Sequence, residues 1–348
     1  MEDNITSKRG SQVSALREIP RLATTRVAIC IATFRRRDQL RALLAGIAQL
    51  AFHKVPTPRP QVVVVDNDEL ASGKSICDNV SVPWPVKYSV EPRRGITYAR
   101  NRAILDAGDV DFVAFIDDDE VPSAHWLDEL LWTQEEFGAD VVSGPVSSTF
   151  APEVPDWVRS GGFFDARVAA TGTLRKTCAC NNVLISTRVF KRVPGFDDTF
   201  ALSGAEDTDF FLRVRQAGYK LVWSQEAIVS EVISLQRANV AWLLRREYQT
   251  GNGWVFCEAR VDSSLRNWML RSARAWGHIL LGSLNAITYM IALDKVASVR
   301  SLQRASLGTG MLTALMGYRF MAYQSAGSKL VEAESPASSF ERDPRSVA

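Results

Sequence analysis

Residues 111–119 read Asp-Phe-Val-Ala-Phe-Ile-Asp-Asp-Asp, an apolar run that ends in three consecutive carboxylates. The bulk and branching of Phe112 to Ile116 suit a buried strand, and the acids begin where its core stops. Adjacent carboxylates repel one another, so folding around Asp117, Asp118 and Asp119 costs free energy unless positive charge sits among them. A hard divalent cation meets that need, because Mn²⁺ or Mg²⁺ takes one or two carboxylates plus substrate phosphate oxygens. A solvated acidic turn capping a helix near Ser123 is the simpler reading of the same run. The surrounding sequence decides between them.

Upstream, strands and helices alternate. Residues 26–32 and 61–65 read as strands, the second continuous in valine and therefore covered on both faces. A third strand is expected over 86–90. Helices are expected over 38–49, with Leu40, Leu43, Leu44 and Ile47 on one face, and over 96–107, ended by Gly108. Downstream of the acids come a helix over 124–137 and a strand over 140–143. This alternation predicts βαβ units and an α/β, Rossmann-like, doubly wound, mainly parallel sheet. Ligands bind such sheets outside the carboxyl ends of the strands. Thr33-Phe34-Arg35-Arg36, Asp66-Asn67-Asp68 and Asp117 to Asp119 all fall at those ends.

After Phe150 the texture changes to an irregular aromatic stretch. Trp157, Phe163 and Phe164 read as core, with stacking on a bound ligand as the functional alternative. Short strands are expected over 182–185, 221–223 and 228–230, a turn at Gly195-Phe196-Asp197, and a helix over 206–217. From about 238 the chain reads as helical. The expected division is a flexible leader over 1–25, a catalytic domain over 26–235 (a nucleotide-binding half, 26–150, and an acceptor half, 151–235), a helical region over 236–330 and a disordered tail over 331–348.

Composition narrows the function classes. A chain of 348 residues, 46% hydrophobic, has ample core, and its net charge of +2 lacks the dominant basic face of a nucleic-acid binder. Five cysteines suit reduced thiols better than a disulfide framework. Cys178 and Cys180 have no second Cys or His pair at zinc spacing. Arg237, Arg245, Arg246, Arg260, Arg266, Arg271 and Arg274 crowd one segment, and residues 275–293 behind them carry no formal charge. A helix lying on a membrane surface, with arginines toward anionic headgroups, fits that pattern, as does an ordinary buried helix. Membrane contact is the expected partner from this feature.

A second acidic cluster, Gly204-Ala205-Glu206-Asp207-Thr208-Asp209, opens the helix over 206–217. Capping of the helix dipole explains acids there. A carboxylate held on a rigid helix end, ionised under ordinary conditions, also serves as a general base for an attacking hydroxyl.

Together these stretches resemble the family 2 glycosyltransferases of GT-A fold, especially non-processive bacterial enzymes of succinoglycan-type exopolysaccharide synthesis. The matching residues are Cys30 to Arg35, Val63 to Asn67, Glu91 to Asn101 and Asp117 to Asp119. They continue through Asn181 to Ile185, Gly195 to Asp197, Glu206 to Phe210 and Arg245-Arg246 leading to Gly251-Asn252. The resemblance implies that Thr33 and Arg35 line the nucleotide pocket and that Asp66 receives uracil or ribose. Arg94, Arg100 and Asn101 then contact base or phosphate, Asp117 the ribose and the metal, and Asp119 the metal on the diphosphate. Asp118 and Glu206 belong to the same donor site, and Asp207 corresponds to the catalytic base. Glu231 matches a recurrent acid of unassigned role, and Arg245 or Arg246 steadies the diphosphate. The implied activity is inverting, metal-dependent transfer of one sugar from a nucleotide-sugar, UDP by family habit, to a glycan or lipid-linked acceptor, by a peripheral enzyme at the cytoplasmic face of the membrane.

Two departures bear on this. The Gln-x-x-Arg-Trp motif of processive members is absent, which favours single-sugar transfer, and Ala205 stands where relatives often have glycine. A nucleotidyltransferase would show a Gly-rich loop with Lys near the first strand, and Ala32-Thr-Phe-Arg lacks glycine. A catalytically silent sugar-nucleotide-binding scaffold is opposed by the joint presence of Asp117, Asp119 and Asp207.

Overall fold

Apolar residues on both faces of the first strand force the chain to cover that strand from two sides. In the computed structural model, which describes residues 25–166 and 168–322, β1 (Arg26–Thr33) is followed by α1 (Arg37–Ile47), β2 (Arg59–Asp66), α2 (Lys74–Asp78), β3 (Val86–Val90), α3 (Ile96–Ala107) and β4 (Phe112–Ile116). Val27, Ile29 and Ile31 point to one face and pack on Leu40, Leu43 and Leu44 of α1. Ala28 and Cys30 point to the other and pack on Ala99 and Ala103 of α3. The period of two along the strand thus fills two layers at once.

The chain continues through β5 (Glu120–Pro122), α4 (Trp126–Phe137), β6 (Val141–Ser143), β7 (Val146–Phe150), α5 (Asp156–Arg159), β8 (Asn182–Ser186), α6 (Glu206–Gln216), β9 (Leu221–Trp223) and β10 (Val229–Ile233). Seven strands form the main sheet in the order β3-β2-β1-β4-β8-β6-β9. Only β8 runs against its neighbours β4 and β6. The mainly parallel α/β sheet is as expected, and so is the doubly wound cover of helices. The acidic run does not lead straight into a helix: β5 begins at Glu120, one residue past Asp119, so the aspartates occupy the turn between two strands. β5 joins β10 and β7 in a second, three-stranded sheet that the sequence did not reveal.

Three long helices close the described chain: α7 (Val240–Val261), α8 (Leu265–Ile291) and α9 (Lys295–Leu315). Glycines let them approach closely. A Cβ on Gly251 of α7 would meet the Leu307 carbonyl oxygen of α9, and one on Gly308 the Ala275 carbonyl oxygen of α8. Trp157, Phe163 and Phe164 pack with Trp242 and Val299 into a local core that ties the segment after β7 to α7 and α9. Phe164 stacks on Trp242 at 5.7 Å. No helix among the described residues is long and apolar enough to cross a membrane. The expected leader and tail lie almost wholly outside the described residues.

Candidate active site

The turn after β4 divides its acids into two pairs. Asp118 points inward: its Oδ2 accepts from Thr33 Oγ1 at 2.8 Å and its Oδ1 from Arg36 Nη1 at 2.8 Å. Glu120 is buried as well, accepting from Asn181 Nδ2 at 2.9 Å. Asp117 and Asp119 keep 40% and 29% of their side chains exposed. Burial raises the Asp118 carboxyl to about 6 against the pull of Arg36, and raises Asp117 despite Arg100. Glu120 rises well above the carboxylate range, by burial first and then by Asp117 and Asp119. All of the turn's donors are hard oxygens, and its two outer carboxylates remain partly exposed. Asp117 and Asp119 therefore fit a divalent cation held by two carboxylates and completed by substrate oxygens. Among the described residues no third Asp, Glu, His or Cys converges to complete a closed protein cage.

A second arm reaches the same place from α6. The chain turns into this helix through Gly204 and Ala205, both left-handed at φ 76° and 67°. Glu206 is then driven under the site, where its Oε1 accepts from Arg100 Nη1 at 2.5 Å. Arg100 Nη2 reaches Asp117 Oδ1 at 3.2 Å, so one buried guanidinium joins the two acidic clusters. Glu206 is raised to about 7, because burial and the nearby Asp207 outweigh Arg100, and its Oε2 is buried without a partner. Asp207 is half-buried and held by the Thr208 backbone N–H, which it accepts from through Oδ1.

Across from these acids stands one face of α7. Trp242, Arg245, Arg246, Gln249 and Trp254 follow helical spacing and, with Arg100, Asp117 and Asp207, line a cavity of about 660 Å³. Arg246 lies over Trp242, and burial together with Arg237 lowers its pKa. Arg245 lies over Phe320, which is fixed because its N–H donates to Asn252 Oδ1 at 2.9 Å. The Gly251-Asn252 pair that the sequence matched to the family is thus a clasp between helices: Gly251 admits α9 and Asn252 holds residues 318–320.

The remaining expected site residues divide. Arg35, at φ 56°, pairs with Asp68 at 3.1 Å beside the cavity-side turn of β1. Arg94 lies over Phe34 at 5.6 Å. Asp66, expected at uracil or ribose, is fully buried and accepts from Gly73 N at 2.6 Å and Tyr88 Oη at 2.8 Å. Asn101, expected at base or phosphate, spends both ends of its amide on Phe196, at 2.9 Å to N–H and 2.8 Å to the carbonyl. Asp118 likewise faces Thr33 rather than the cavity. The structure engages all three in bonds within the protein, Asp66 and Asp118 buried and Asn101 half-buried.

Glu231 receives a role that the sequence could not assign. Its Oε2 accepts from Arg237 Nη1 at 2.7 Å and its Oε1 from Ser148 at 3.1 Å. Arg237 stands 4.0 Å from Asp119 Oδ2, with its Nε buried and unpartnered. Arg36 bridges Asp118 and Asp119 at 2.8 and 3.0 Å. Neither arginine was singled out from sequence, although both lie in arginine-rich stretches noted there. Cys178 and Cys180 are thiols whose pKa burial raises, Cys178 to about 12.

Comparison with known proteins fits this geometry. A family model described as glycosyl transferase family 2 matches residues 28–193, and one described as glycosyl transferase family group 2 matches 112–323. The succinoglycan biosynthesis protein ExoM of Rhizobium meliloti (strain 1021) is 33% identical over 304 residues, 85% of this chain and 94% of that protein. A glucosyl-dolichyl phosphate glucuronosyltransferase of Haloferax volcanii is 29% identical over 215 residues, 56% of this chain and 66% of that protein. Among solved structures, the mannosyltransferase PcManGT of Pyrobaculum calidifontis, in complex with GDP-Man and Mn²⁺, shares the fold at a TM-score of 0.58 and 19% identity, covering 84% of this chain and 88% of that one.

Proposed function

The chain belongs to glycosyl transferase family 2, and from that premise we propose that it moves one sugar from a nucleotide-sugar, with UDP-hexose as donor, to a hydroxyl of a glycan or lipid-linked oligosaccharide in cell-surface polysaccharide synthesis. It is a glycosyltransferase; the proposal concerns how it works and on what. The carrying observation is that Asp207 and Asp117 open on one cavity, with Arg100 joining Asp117 to Glu206 beneath it and the two arginines of α7 facing them. The succinoglycan relative supports the polysaccharide setting, and the Mn²⁺ and GDP-Man bound to the solved mannosyltransferase support the donor class.

Asp117 and Asp119 would hold the divalent cation, Mn²⁺ or Mg²⁺, which when bound neutralises charge on a departing diphosphate. The protein's own residues do the rest. Arg245 and Arg246, and Arg237 held by Glu231, offer charge-assisted hydrogen bonds to phosphate oxygens. Asp207 takes the proton from the acceptor hydroxyl as its oxygen bonds to the anomeric carbon, while the bond from that carbon to the diphosphate breaks on the opposite face. The transition state is oxocarbenium-like. One displacement inverts the anomeric centre and requires no second nucleophilic carboxylate. Arg100 and Glu206 position Asp207 without touching the reacting atoms. Nucleotide-sugars are cytoplasmic metabolites, so this reading sets the enzyme at the inner face of the membrane.

The test is nucleotide release from a panel of UDP-, GDP- and dTDP-sugars with Mn²⁺, Mg²⁺ or EDTA, alongside calorimetric titration with each nucleotide. Asp207→Asn is expected to lower release by roughly two to four orders of magnitude while still binding nucleotide. Asp119→Ala is expected to lose the metal dependence. Failure of every nucleotide to bind in the presence of metal would refute the proposal.

A further inference from the structure

α8 turns its apolar side outward. Its buried residues, Arg271, Ala275, Gly282 and Ala286, make a narrow stripe of mostly small side chains. That stripe lies against α9, where a Cβ on Gly282 would stand 2.8 Å from the Ser301 carbonyl oxygen. At 3.6 residues per turn, Met269, Trp276, Leu280, Leu284, Ile287 and Ile291 fall on the opposite side. Each of the six is between 49% and 79% exposed. A helix on a water-facing surface carries the reverse pattern. An apolar face of this extent marks an interaction site.

The charge around that face is of one sign. From residue 263 to 293 the sequence holds three arginines and no acid. Arg274 and, from α9, Arg304 are exposed. Both bear on His278, whose pKa is lowered by burial first and then by these two cations, so both stand near His278 where α8 meets α9. The nearest acids are engaged: Glu258 pairs with Arg271 and Arg274, and Asp294 caps the first turn of α9. A second copy docking through this face by two-fold symmetry would set like basic edges against each other. A surface with anionic headgroups and an apolar interior complements both features.

We propose that α8 lies flat on an anionic phospholipid bilayer, its apolar face at the acyl-chain boundary and Arg274 and Arg304 toward the headgroup phosphates. The 27-residue helix is about 40 Å long, and among the described residues its outward face stays exposed along that length. Trp276 belongs to a residue type enriched at membrane interfaces. The inference deepens the proposed function and rests on it only for purpose: an enzyme held at the bilayer meets a lipid-linked acceptor in the plane of the membrane.

The experiment is density-gradient flotation of the full chain with phosphatidylcholine vesicles, with and without phosphatidylglycerol, at low and high salt. The chain is expected to float with phosphatidylglycerol vesicles, with binding reduced but not abolished by salt. Leu280→Glu/Leu284→Glu is expected to cut the bound fraction roughly tenfold or more, with nucleotide release in vesicle-free solution unchanged. Arg274→Glu/Arg304→Glu, which leaves the apolar face intact, is expected to remove only the salt-sensitive part. Wild-type protein staying at the bottom of the gradient with anionic vesicles overturns the inference, as does equal flotation of the leucine double variant. A concentration-dependent dimer in ultracentrifugation that the leucine variant dissolves also overturns it. Absent nucleotide release together with intact flotation would count against the transferase reading alone.

Discussion

Replacing Arg100 with Met tests whether one buried guanidinium holds the two acidic clusters together. Arg100 keeps 7% of its side chain exposed and Glu206 6%, with 2.5 Å between Nη1 and Oε1. At an effective dielectric of about 20, charges about 4 Å apart attract by about 4 kcal/mol. Removing one partner of such a pair, which strands the other charge, costs about 3–5 kcal/mol. Glu206 has an escape, because burial already raises it to about 7 and losing Arg100 raises it further. The cost therefore depends on pH. At pH 8 the variant must either bury a lone carboxylate or bind a proton against the gradient, and the loss is expected near that full range. At pH 5.5 Glu206 is protonated in both proteins, and only the lost hydrogen bonds and packing remain, about 1–2 kcal/mol. Urea unfolding followed by tryptophan fluorescence at the two pH values measures the difference. Arg100→Met/Glu206→Gln, which removes both charges, is expected to recover most of the loss at pH 8. A loss below about 1 kcal/mol at pH 8, or one equal at both pH values, would refute the reasoning.

The same raised carboxyl sets the pH dependence of the wild type. A folded pKa of about 7 against an ordinary value of 4.5 means that the folded chain binds the extra proton between those values. Its contribution to stability is full below about 4.5 and is lost as pH rises through 7, and Glu206→Gln is expected to flatten the melting temperature over that window. Gly253→Ala would set a methyl 2.5 Å from the Ala205 methyl, at a cost of about 1–3 kcal/mol. Adding Ala205→Gly, which also relieves the left-handed φ of 67°, is expected to restore stability and turnover, measured as a double-mutant cycle. Gly251→Ala would meet the Leu307 carbonyl oxygen, backbone that cannot rotate away. It is expected to lower the melting temperature more than Gly253→Ala, with no rescue by Ala205→Gly.

Much of the fold was legible because its signals are periodic and long. The strands around residues 26–33, 59–66 and 86–90 and the helix over 96–107 were placed nearly to the residue, since each repeats its pattern several times before a glycine or an acid stops it. The second sheet was illegible for the opposite reason. β5 has three residues and ends in proline, and β7 shows only half-buried alternation in a polar segment, too short for a period to declare itself. Both are fixed by pairing with β10, more than 75 residues further along the chain, and no local propensity encodes such a partner. The uncharged stretch behind the arginines was legible as a helix but not as to what it faces. That question turns on the small-residue stripe of α8, whose spacing of Ala275, Gly282 and Ala286 marks the packed side and so identifies the apolar side as the outward one.

The site shows where local reading reaches its limit and why. Composition can state that Asp117 to Asp119 need positive charge, but not which side chain supplies it. Arg36 arrives from 82 positions away to reach Asp118, and Arg237 comes from the second sheet's far side of the chain to stand by Asp119. Residues 117–120 form a turn, closed by the Glu120 N–H donating to the Asp117 carbonyl oxygen at 3.2 Å, so the alternation of an extended strand does not assign these four acids to faces. In the structure Asp118 and Glu120 turn inward to Thr33, Arg36 and Asn181, and Asp117 and Asp119 stay partly exposed. The inward pair is buried with raised pKa values because it gives up water to brace the turn. The outward pair stays partly exposed, with Arg100 and Arg36 each engaging one of its oxygens. A run that looks redundant in sequence thus divides into acids that hold the turn and acids that can meet a cation, and the division is set by the partners that reach Asp118 and Glu120 from elsewhere in the chain.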